Sequence, residues 1–180
     1  LGGVLFVMLF LQHGALWLAI KTSDVVQQRA IGLARKAWPV LVGVAVVFLA
    51  ASWWATDLYA NYLHHPTLFL VILVTVAALL AARVFMARQA WFKAWAASAV
   101  TIAGATFYGV IGLFPRLFPS SLDAAFDLTA RNASSSPLTL KIMLVVVIVF
   151  VPIVLIYQIW AFRLFKDKVT AADLAHEKGY

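Results

Sequence analysis

Residues 113–142 read LFPRLFPSSLDAAFDLTARNASSSPLTLKI, and they form the one long polar interruption in an otherwise apolar sequence. Pro115 and Pro119 predict the end of the preceding helix, because proline cannot donate a backbone hydrogen bond and disfavours helical geometry in the residue before it. Ser136 and Pro137 form the N-cap and first-turn pair that is typical of a helix start. The stretch is therefore predicted to be a loop between two long apolar helices.

A second local pattern lies inside this loop. Ser120 and Asp123 have the spacing of a capping box with an acidic third position. This spacing predicts a short surface helix that continues through residue 127 before the polar run 132–136 ends it.

The composition of the whole chain predicts an integral membrane protein. Hydrophobic residues make up 64% of the 180 residues and charged residues 12%, with a mean hydropathy of +0.96, whereas a soluble domain is about half apolar. The sequence contains no cysteine, which excludes disulfides, thiolate metal sites and thiol nucleophiles. Because the chain begins with leucine inside an apolar run, we expect it to be a fragment of a longer protein.

Apolar runs of bilayer-spanning length predict five transmembrane helices. They cover approximately residues 1–20, 39–58, 67–86, 91–113 and 137–165. The basic segment 21–36 has apolar and small residues on one helical face, which predicts an interfacial helical connection. Since the sequence shows no internal repeat or low-complexity linker, the predicted fold class is an all-α, polytopic membrane helix bundle that forms one domain over residues 1–180.

The distribution of basic residues predicts the orientation in the membrane. Eleven of the fourteen lysines and arginines fall in segment 21–36, in the turn 83–93 and near the C-terminus, whereas three lie in the other connections. The positive-inside rule then makes residues 166–180 a cytoplasmic tail and residues 113–137 an extracytoplasmic loop. Anionic lipid headgroups explain the net charge of +7, so no nucleic-acid partner is expected.

His13 is the ionisable residue that the sequence places deepest in the membrane. It precedes Lys21 by eight residues, which corresponds to a depth of about 12 Å. Two interpretations remain open: a haem ligand, or a histidine hydrogen-bonded inside a helix bundle. His64 and His65 are adjacent and point apart, which makes a poor metal pair. Asp57 is either a solvated acid near the outer boundary or part of a proton path.

Two further features concern helix packing. Ala97, Thr101, Ala105 and Gly109 recur every fourth residue, and this face of small residues is predicted to let another helix approach closely. Pro152 lies inside the last apolar run, where the missing backbone donor predicts a kink that can shape a cavity.

Four stretches resemble the C-terminal part of subunit II of the cytochrome bd quinol oxidases. They are LQHGALWLAIKT at 11–22, GLFPRLFPSSLD at 112–123, LTARNASSSPLTLKIM at 128–143 and VPIVLIYQIWAFRLF at 151–165. The similarity covers essentially the whole chain. It implies an eight-helix protein of two four-helix bundles, whose N-terminal half this chain lacks. Its first helix would then close the first bundle and the other four would form the second.

The resemblance also implies a function in aerobic respiration at a bacterial or archaeal cell membrane. The implied complex is a terminal oxidase that oxidises quinol and reduces oxygen to water, with haems b and d in a partner, subunit I. The expected contribution of this chain is the assembly and stability of subunit I, and contributions to oxygen or proton access or the binding of a quinone are compatible with it. No catalytic, cofactor-binding or metal-binding residue carries over, since the family's proton-path acid lies in the missing half. The residues singled out as structural are His13, Pro115, Pro119, Ser136, Pro137 and Pro152.

Part of a secondary membrane transporter is the alternative function. Transporters usually have broken helices and ionisable residues at mid-membrane. In this sequence only His13 and the kink predicted at Pro152 fit that pattern.

Overall fold

The computed structural model describes residues 1–165 and 167–168. Six α-helices occur there: α1 Gly2–Lys21, α2 Asp24–Ala55, α3 Ala60–His64, α4 Phe69–Ala87, α5 Trp91–Leu113 and α6 Pro137–Leu164. Two short strands, β1 Arg116–Phe118 and β2 Leu128–Thr129, and two 3-10 turns, Pro66–Leu68 and Ala124–Phe126, complete the described part. The chain forms two compact units, one of Leu1–Phe114 and one of Pro115–Asp167, with the predicted tail 166–180 almost wholly outside the described residues.

Five helices of the described chain are long and apolar enough to cross a membrane: α1, α2, α4 with its preceding 3-10 turn, α5 and α6. The predicted all-α, polytopic membrane helix bundle is therefore confirmed. The predicted bounds of the last two helices agree with α5 and α6 to within one residue.

Helix α2 differs from the prediction. The segment 21–36 is not a separate connection, because all but its first three residues form the beginning of a single helix of 32 residues. At about 1.5 Å per residue this helix is about 48 Å long, more than the roughly 30 Å of bilayer hydrocarbon. Pro39 lies inside α2 rather than at a helix start.

A buried stripe of small and apolar side chains explains why α2 continues through Pro39. The stripe recurs every three or four residues and consists of Ala30, Ala34, Ala37 and Leu41. Ala34 packs with Leu16 of α1 in one core cluster, and Leu41 packs with Leu9 of α1 in another. Pro39 removes one backbone hydrogen bond. The packing of Ala34 and Leu41 on α1, on either side of Pro39, offsets that loss.

Side-chain hydrogen bonds to backbone carbonyls join the helices of the first unit. Gln27 Nε2 donates to the carbonyl oxygen of Ala19 at 2.9 Å, which ties the start of α2 to the end of α1. Farther along, the indole Nε1 of Trp38 donates to the carbonyl oxygen of Leu79 at 3.0 Å, joining α2 to α4. Each bond satisfies a polar group near hydrocarbon.

The connection between α2 and α4 caps the end of α5. The last carbonyl groups of a helix have no partner within the helix. Asn61 Nδ2 donates to the carbonyl oxygen of Ile111 at 2.8 Å and also to that of Phe114. Tyr62 Oη donates to the carbonyl oxygen of Tyr108 at 2.9 Å. Through these hydrogen bonds the connection covers one end of the first unit.

Glycine allows α5 to lie against this connection. A Cβ atom added at Gly112 would lie 2.8 Å from the carbonyl oxygen of Leu58, so a methyl group does not fit without a backbone shift. At Gly104 the added atom would lie 2.9 Å from Cβ of Thr75 in α4. At these two positions α5 lies too close to its neighbours for a side chain to fit without a shift.

The second unit begins with an antiparallel pair of strands in place of the predicted surface helix. Arg116 pairs with Thr129, and Phe118 pairs with Leu128. Asp127 is turned inward with 7% exposure and accepts a hydrogen bond from the backbone N–H of Ser120 at 2.6 Å. This contact and the strand pairing draw the two ends of the segment together, so only one 3-10 turn forms between them.

The same unit continues into α6. Ser136 Oγ accepts a hydrogen bond from the backbone N–H of Thr139 at 3.3 Å, and Pro137 is the first residue of the helix. Pro152 lies inside α6, which runs from Pro137 to Leu164.

We expect Gly112→Ala to destabilise the protein by about 1–3 kcal/mol, because the new methyl group overlaps the carbonyl of Leu58. Thermal unfolding of the purified full-length protein measures the change. Gly43→Ala is the control, since no atom of the described chain lies within 4 Å of its Cβ position and alanine favours a helix over glycine by about 1 kcal/mol. Equal losses in both variants would contradict the proposed overlap.

Candidate functional site

His13 joins α1 to α5 through a side-chain hydrogen bond. Its Nδ1 lies 2.8 Å from Ser98 Oγ, and the Ser98 hydroxyl donates to the carbonyl oxygen of Trp95 at 2.7 Å. Because the serine proton is used in that second bond, the first must be donated by the imidazole, which assigns the Nδ1–H tautomer and leaves Nε2 as an acceptor. The structure shows the hydrogen bond of the second interpretation, but this bond uses Nδ1 and leaves Nε2 available, so it does not decide between the two interpretations.

An aromatic ring packs on this histidine, and a second ring packs on the first. The imidazole is stacked on the indole of Trp95 with ring centroids 5.1 Å apart. Trp17, one turn of α1 further on, lies 5.3 Å from the same indole, and the Lys21 ammonium lies 5.4 Å above the Trp17 ring. The rings lead from the depth of His13 toward the basic end of the helices.

Gln12, the residue before His13, is more deeply buried than the sequence indicates. Its side chain is 1% exposed, and its Nε2 lies 3.4 Å from the Met86 sulfur atom. Its Oε1 has no hydrogen-bond partner within the described chain. An unsatisfied amide oxygen in a low-dielectric interior is costly. In the sequence, the position of Gln12 next to His13 was the only feature that pointed to this side chain.

A small apolar cavity lies between α1, α2, α4 and α5. Its volume is about 60 Å³, far below the roughly 300–1,000 Å³ of typical ligand pockets. Leucine, phenylalanine and other apolar side chains form most of its wall, together with Tyr108, and at about 60 Å³ it is far smaller than a haem. The described residues at this cavity therefore do not fit a haem.

Three tyrosines form a second cluster at the opposite end of the unit from the basic turns. The Tyr62 ring stacks on Tyr108 at 5.5 Å, and Tyr59 lies 5.8 Å from Tyr108. Burial, with a smaller contribution from the nearby Tyr59, raises the pKa of Tyr62 to about 12. Its hydroxyl therefore remains a donor to the α5 carbonyl at any physiological pH.

The other candidate residues are not brought together into a site. His64 ends α3 and His65 follows it, and no group of three metal-ligating side chains occurs among the residues searched, 1–165 and 167–168. Asp57 precedes α3, where its carbonyl oxygen accepts from the backbone N–H of Ala60 at 3.0 Å. Pro115 follows the end of α5, and Pro119 follows β1.

The predicted packing face is distributed along α5. Ala97 and Thr101 are buried, and Ala105 lines the apolar cavity. Gly109 has no atom within 4 Å of its Cβ position in the part of the chain that the structure describes. Close approach of another helix along this whole face stays a prediction.

Comparison with known proteins shows the family. The model of the cytochrome bd terminal oxidase subunit II family matches residues 1–165. The chain belongs to this family. It is 34% identical to the cytochrome bd ubiquinol oxidase subunit 2 of Bacillus subtilis over 94% of this chain and 50% of that protein. It is 30% identical to the probable cytochrome oxidase subunit 2 of Haemophilus influenzae, over 89% of this chain and 49% of the relative.

A third relative matches a smaller part of this chain. The cytochrome bd-I ubiquinol oxidase subunit 2 of Escherichia coli is 32% identical over 72% of this chain and 33% of its own length. The chain thus spans half or less of these relatives. Membership in the cytochrome bd subunit II family confirms the resemblance found in the sequence, and with the five apolar helices it makes this chain part of a multi-pass membrane protein.

We expect Ser98→Ala to lower the stability of the full-length protein by about 0.6–1.7 kcal/mol, the range for one interhelical hydrogen bond in a membrane. Thermal unfolding in detergent measures it. Thr106→Ala is the control, because Thr106 Oγ1 is exposed and donates at 3.0 Å to Ile102 of its own helix. A Ser98 variant as stable as the Thr106 variant would show that the His13 contact contributes nothing.

Proposed function

We propose that this chain is part of the haem-free subunit of a cytochrome bd-type terminal oxidase. The complex would oxidise quinol and reduce oxygen to water in aerobic respiration, and this subunit would support the assembly and stability of the haem-bearing subunit I. The observation that carries the proposal is the family match over residues 1–165. The haems b and d are assigned to subunit I, and a bound quinone in this subunit is compatible with the proposal.

The supply of ligand side chains supports the haem-free assignment. Haem iron is held by histidine, cysteine, methionine or tyrosine side chains. The sequence has no cysteine, and His13 is the one histidine within its apolar helices, so the other residues of ligating type there are methionines and tyrosines such as Met86 and Tyr108. Since Nδ1 of His13 is bonded to Ser98 of α5, any haem iron would have to be held by Nε2 of this one residue.

The arrangement of polar groups supports a scaffold role. The hydrogen bonds of His13, Trp38, Asn61 and Tyr62 each join two segments of the first unit. Interhelical bonds of this kind stabilise helix association in membranes. A side chain used in this way positions helices and leaves redox chemistry to a bound cofactor elsewhere in the complex.

The transporter alternative gains no support from the helices. Secondary transporters bind substrate at helices that are broken near the middle of the membrane. Here α2 continues through Pro39 and α6 continues through Pro152.

We further propose that residues 166–180 are cytoplasmic and that the loop 113–137 is extracytoplasmic. The turn between α1 and α2 and the turn between α4 and α5 lie at the basic end of the first unit, where Lys21, Arg29, Arg35 and Arg88 are found. The positive-inside rule places this end in the cytoplasm.

Reporter fusions test this orientation. A phosphatase that is active only outside the cytoplasm should be active when it is inserted within residues 122–134 and inactive when it is fused after Tyr180. A fluorescent protein that folds only in the cytoplasm should give the opposite pattern. Phosphatase activity at the C-terminus would contradict the orientation.

We expect His13→Ala to leave every haem signal of the full-length complex intact. Reduced-minus-oxidised spectra, normalised to the amount of assembled complex, measure this, and quinol-dependent oxygen uptake tests the proposed activity of the unaltered complex. His64→Ala, outside the membrane helices, is the control for losses of yield. Disappearance of one haem signal at normal complex yield would make His13 a ligand and overturn the haem-free assignment.

A further inference from the structure

A polar pocket lies at the basic end of the first unit, between α2 and the turn from α4 to α5. Its volume is about 590 Å³, within the roughly 300–1,000 Å³ of typical ligand pockets. Its wall is formed by Gln27, Gln28, Ile31, Gly32 and Arg35 of α2 together with Gln89 and Trp91. The pocket shares no lining residue with the apolar cavity.

Arg35 supplies a positive charge to this pocket. Its guanidinium carbon lies 6.0 Å above the Trp91 ring, which holds the side chain against the start of α5. Within the described residues no carboxylate forms a salt bridge with Arg35. Arg29 and Lys36 are near it in the sequence of α2, Arg88 lies in the adjacent turn, and Lys93 lies in the first turn of α5. The pocket is therefore suited to an anion.

Gln89 is held at the pocket wall in an uncommon conformation. Its φ angle is +56°, in the left-handed region that favours glycine at the end of a helix. The turn is closed by hydrogen bonds from the backbone N–H of Gln89 to Met86 at 3.2 Å and of Ala90 to Phe85 at 2.9 Å. A glutamine at this position costs energy that glycine would not. Its side chain adds an amide donor beside Arg35.

The position of the pocket selects a membrane lipid over a soluble anion. Trp91 and Ile31 give it an apolar margin, and Trp91 packs on the buried cluster that contains Leu16 and Met86. A lipid headgroup would meet the polar wall while its glycerol and acyl chains remain beside the apolar margin. Basic pockets between transmembrane helices commonly bind anionic headgroups.

We propose that the pocket between α2 and the α4–α5 turn binds the anionic headgroup of a membrane phospholipid, with Arg35 as its charge partner and Gln28 and Gln89 as amide donors. The inference rests on membrane residence and does not depend on the oxidase activity.

The test uses the full-length protein purified with its natural partners and depleted of lipid. Phosphatidylglycerol is added, and binding is followed by native mass spectrometry and by the midpoint of thermal unfolding. Phosphatidylcholine with the same acyl chains is the comparison lipid, and inorganic phosphate is the soluble anion. We expect phosphatidylglycerol to bind and to raise the midpoint, whereas the other two do neither.

Arg35→Gln should weaken phosphatidylglycerol binding about fivefold or more, since one basic residue near an anionic surface contributes a factor of that order. Arg131→Gln is the matched control, because it removes the same charge from the loop of the second unit. Equal binding by Arg35→Gln and the unaltered protein would overturn the proposal, as would equal losses in the two variants. Binding of phosphatidylcholine with the same affinity would also overturn it.

Gln89→Gly decides the question if Arg35→Gln fails to fold. Glycine fits the +56° conformation, so this variant should be at least as stable as the unaltered protein without lipid. It should nevertheless bind phosphatidylglycerol more weakly. Undiminished binding by Gln89→Gly would then contradict the assignment. If inorganic phosphate reproduces the shift of the unfolding midpoint, the pocket binds a soluble anion and the proposal is wrong. If the variants lose a partner subunit and keep their lipid binding, the pocket is a protein contact and the proposal is wrong as well.

Discussion

Backbone groups in hydrocarbon must find partners within the protein, and the first unit depends on this constraint at the end of α5. Helix geometry leaves the last carbonyls of α5 without partners, and the chain supplies Asn61 to two of them. That contact requires the connection to lie directly on the helix, which in turn requires glycine at position 112. Tyr62 then fills the adjacent space with a hydroxyl bonded to the same helix. One capping requirement thus fixes both the connection and the packing around it.

The sequence predicted the features that depend on local physics. Long apolar runs and the breaks at Pro115 and Pro137 are local, so α5 and α6 were located to within a residue. The extension of α2 toward its N-terminus depends on contacts between residues that are distant in the sequence. Its first half is polar enough to suggest an interfacial segment, and Pro39 suggests a helix start. Only the packing of Ala34 and Leu41 on α1 shows that the helix is continuous. Likewise the Ser120 hydroxyl accepts from the backbone N–H groups of Leu122 and Asp123, as the capping pattern predicts. The backbone N–H of Ser120 donates to Asp127, which pairing of the strands brings close, and only a 3-10 turn forms.

For the candidate site, too, the sequence predicted the local features and missed the contacts between distant residues. His13 could be recognised because a lone imidazole within an apolar run is rare. Its partner Ser98 lies 85 residues away in the sequence, and no spacing rule connects the two. The close approach at Gly104 and Gly112 was missed in favour of a regular four-residue pattern ending at Gly109, because a repeat is visible in sequence and a steric contact is not. The pocket at Arg35 was missed because its residues come from two segments that only the fold brings together.

The tautomer of His13 bears on the role proposed for this chain. The Ser98 hydroxyl gives its proton to a backbone carbonyl, so it can only accept from the imidazole. Nε2 therefore carries a lone pair, which can accept a hydrogen bond or coordinate a metal. A hydrogen-bond donor on a helix of another chain would let His13 join the two chains, which fits the proposed scaffold role. A metal would make it a ligand. Because stability is affected in the first case and a haem spectrum in the second, the two roles are separable at this one residue.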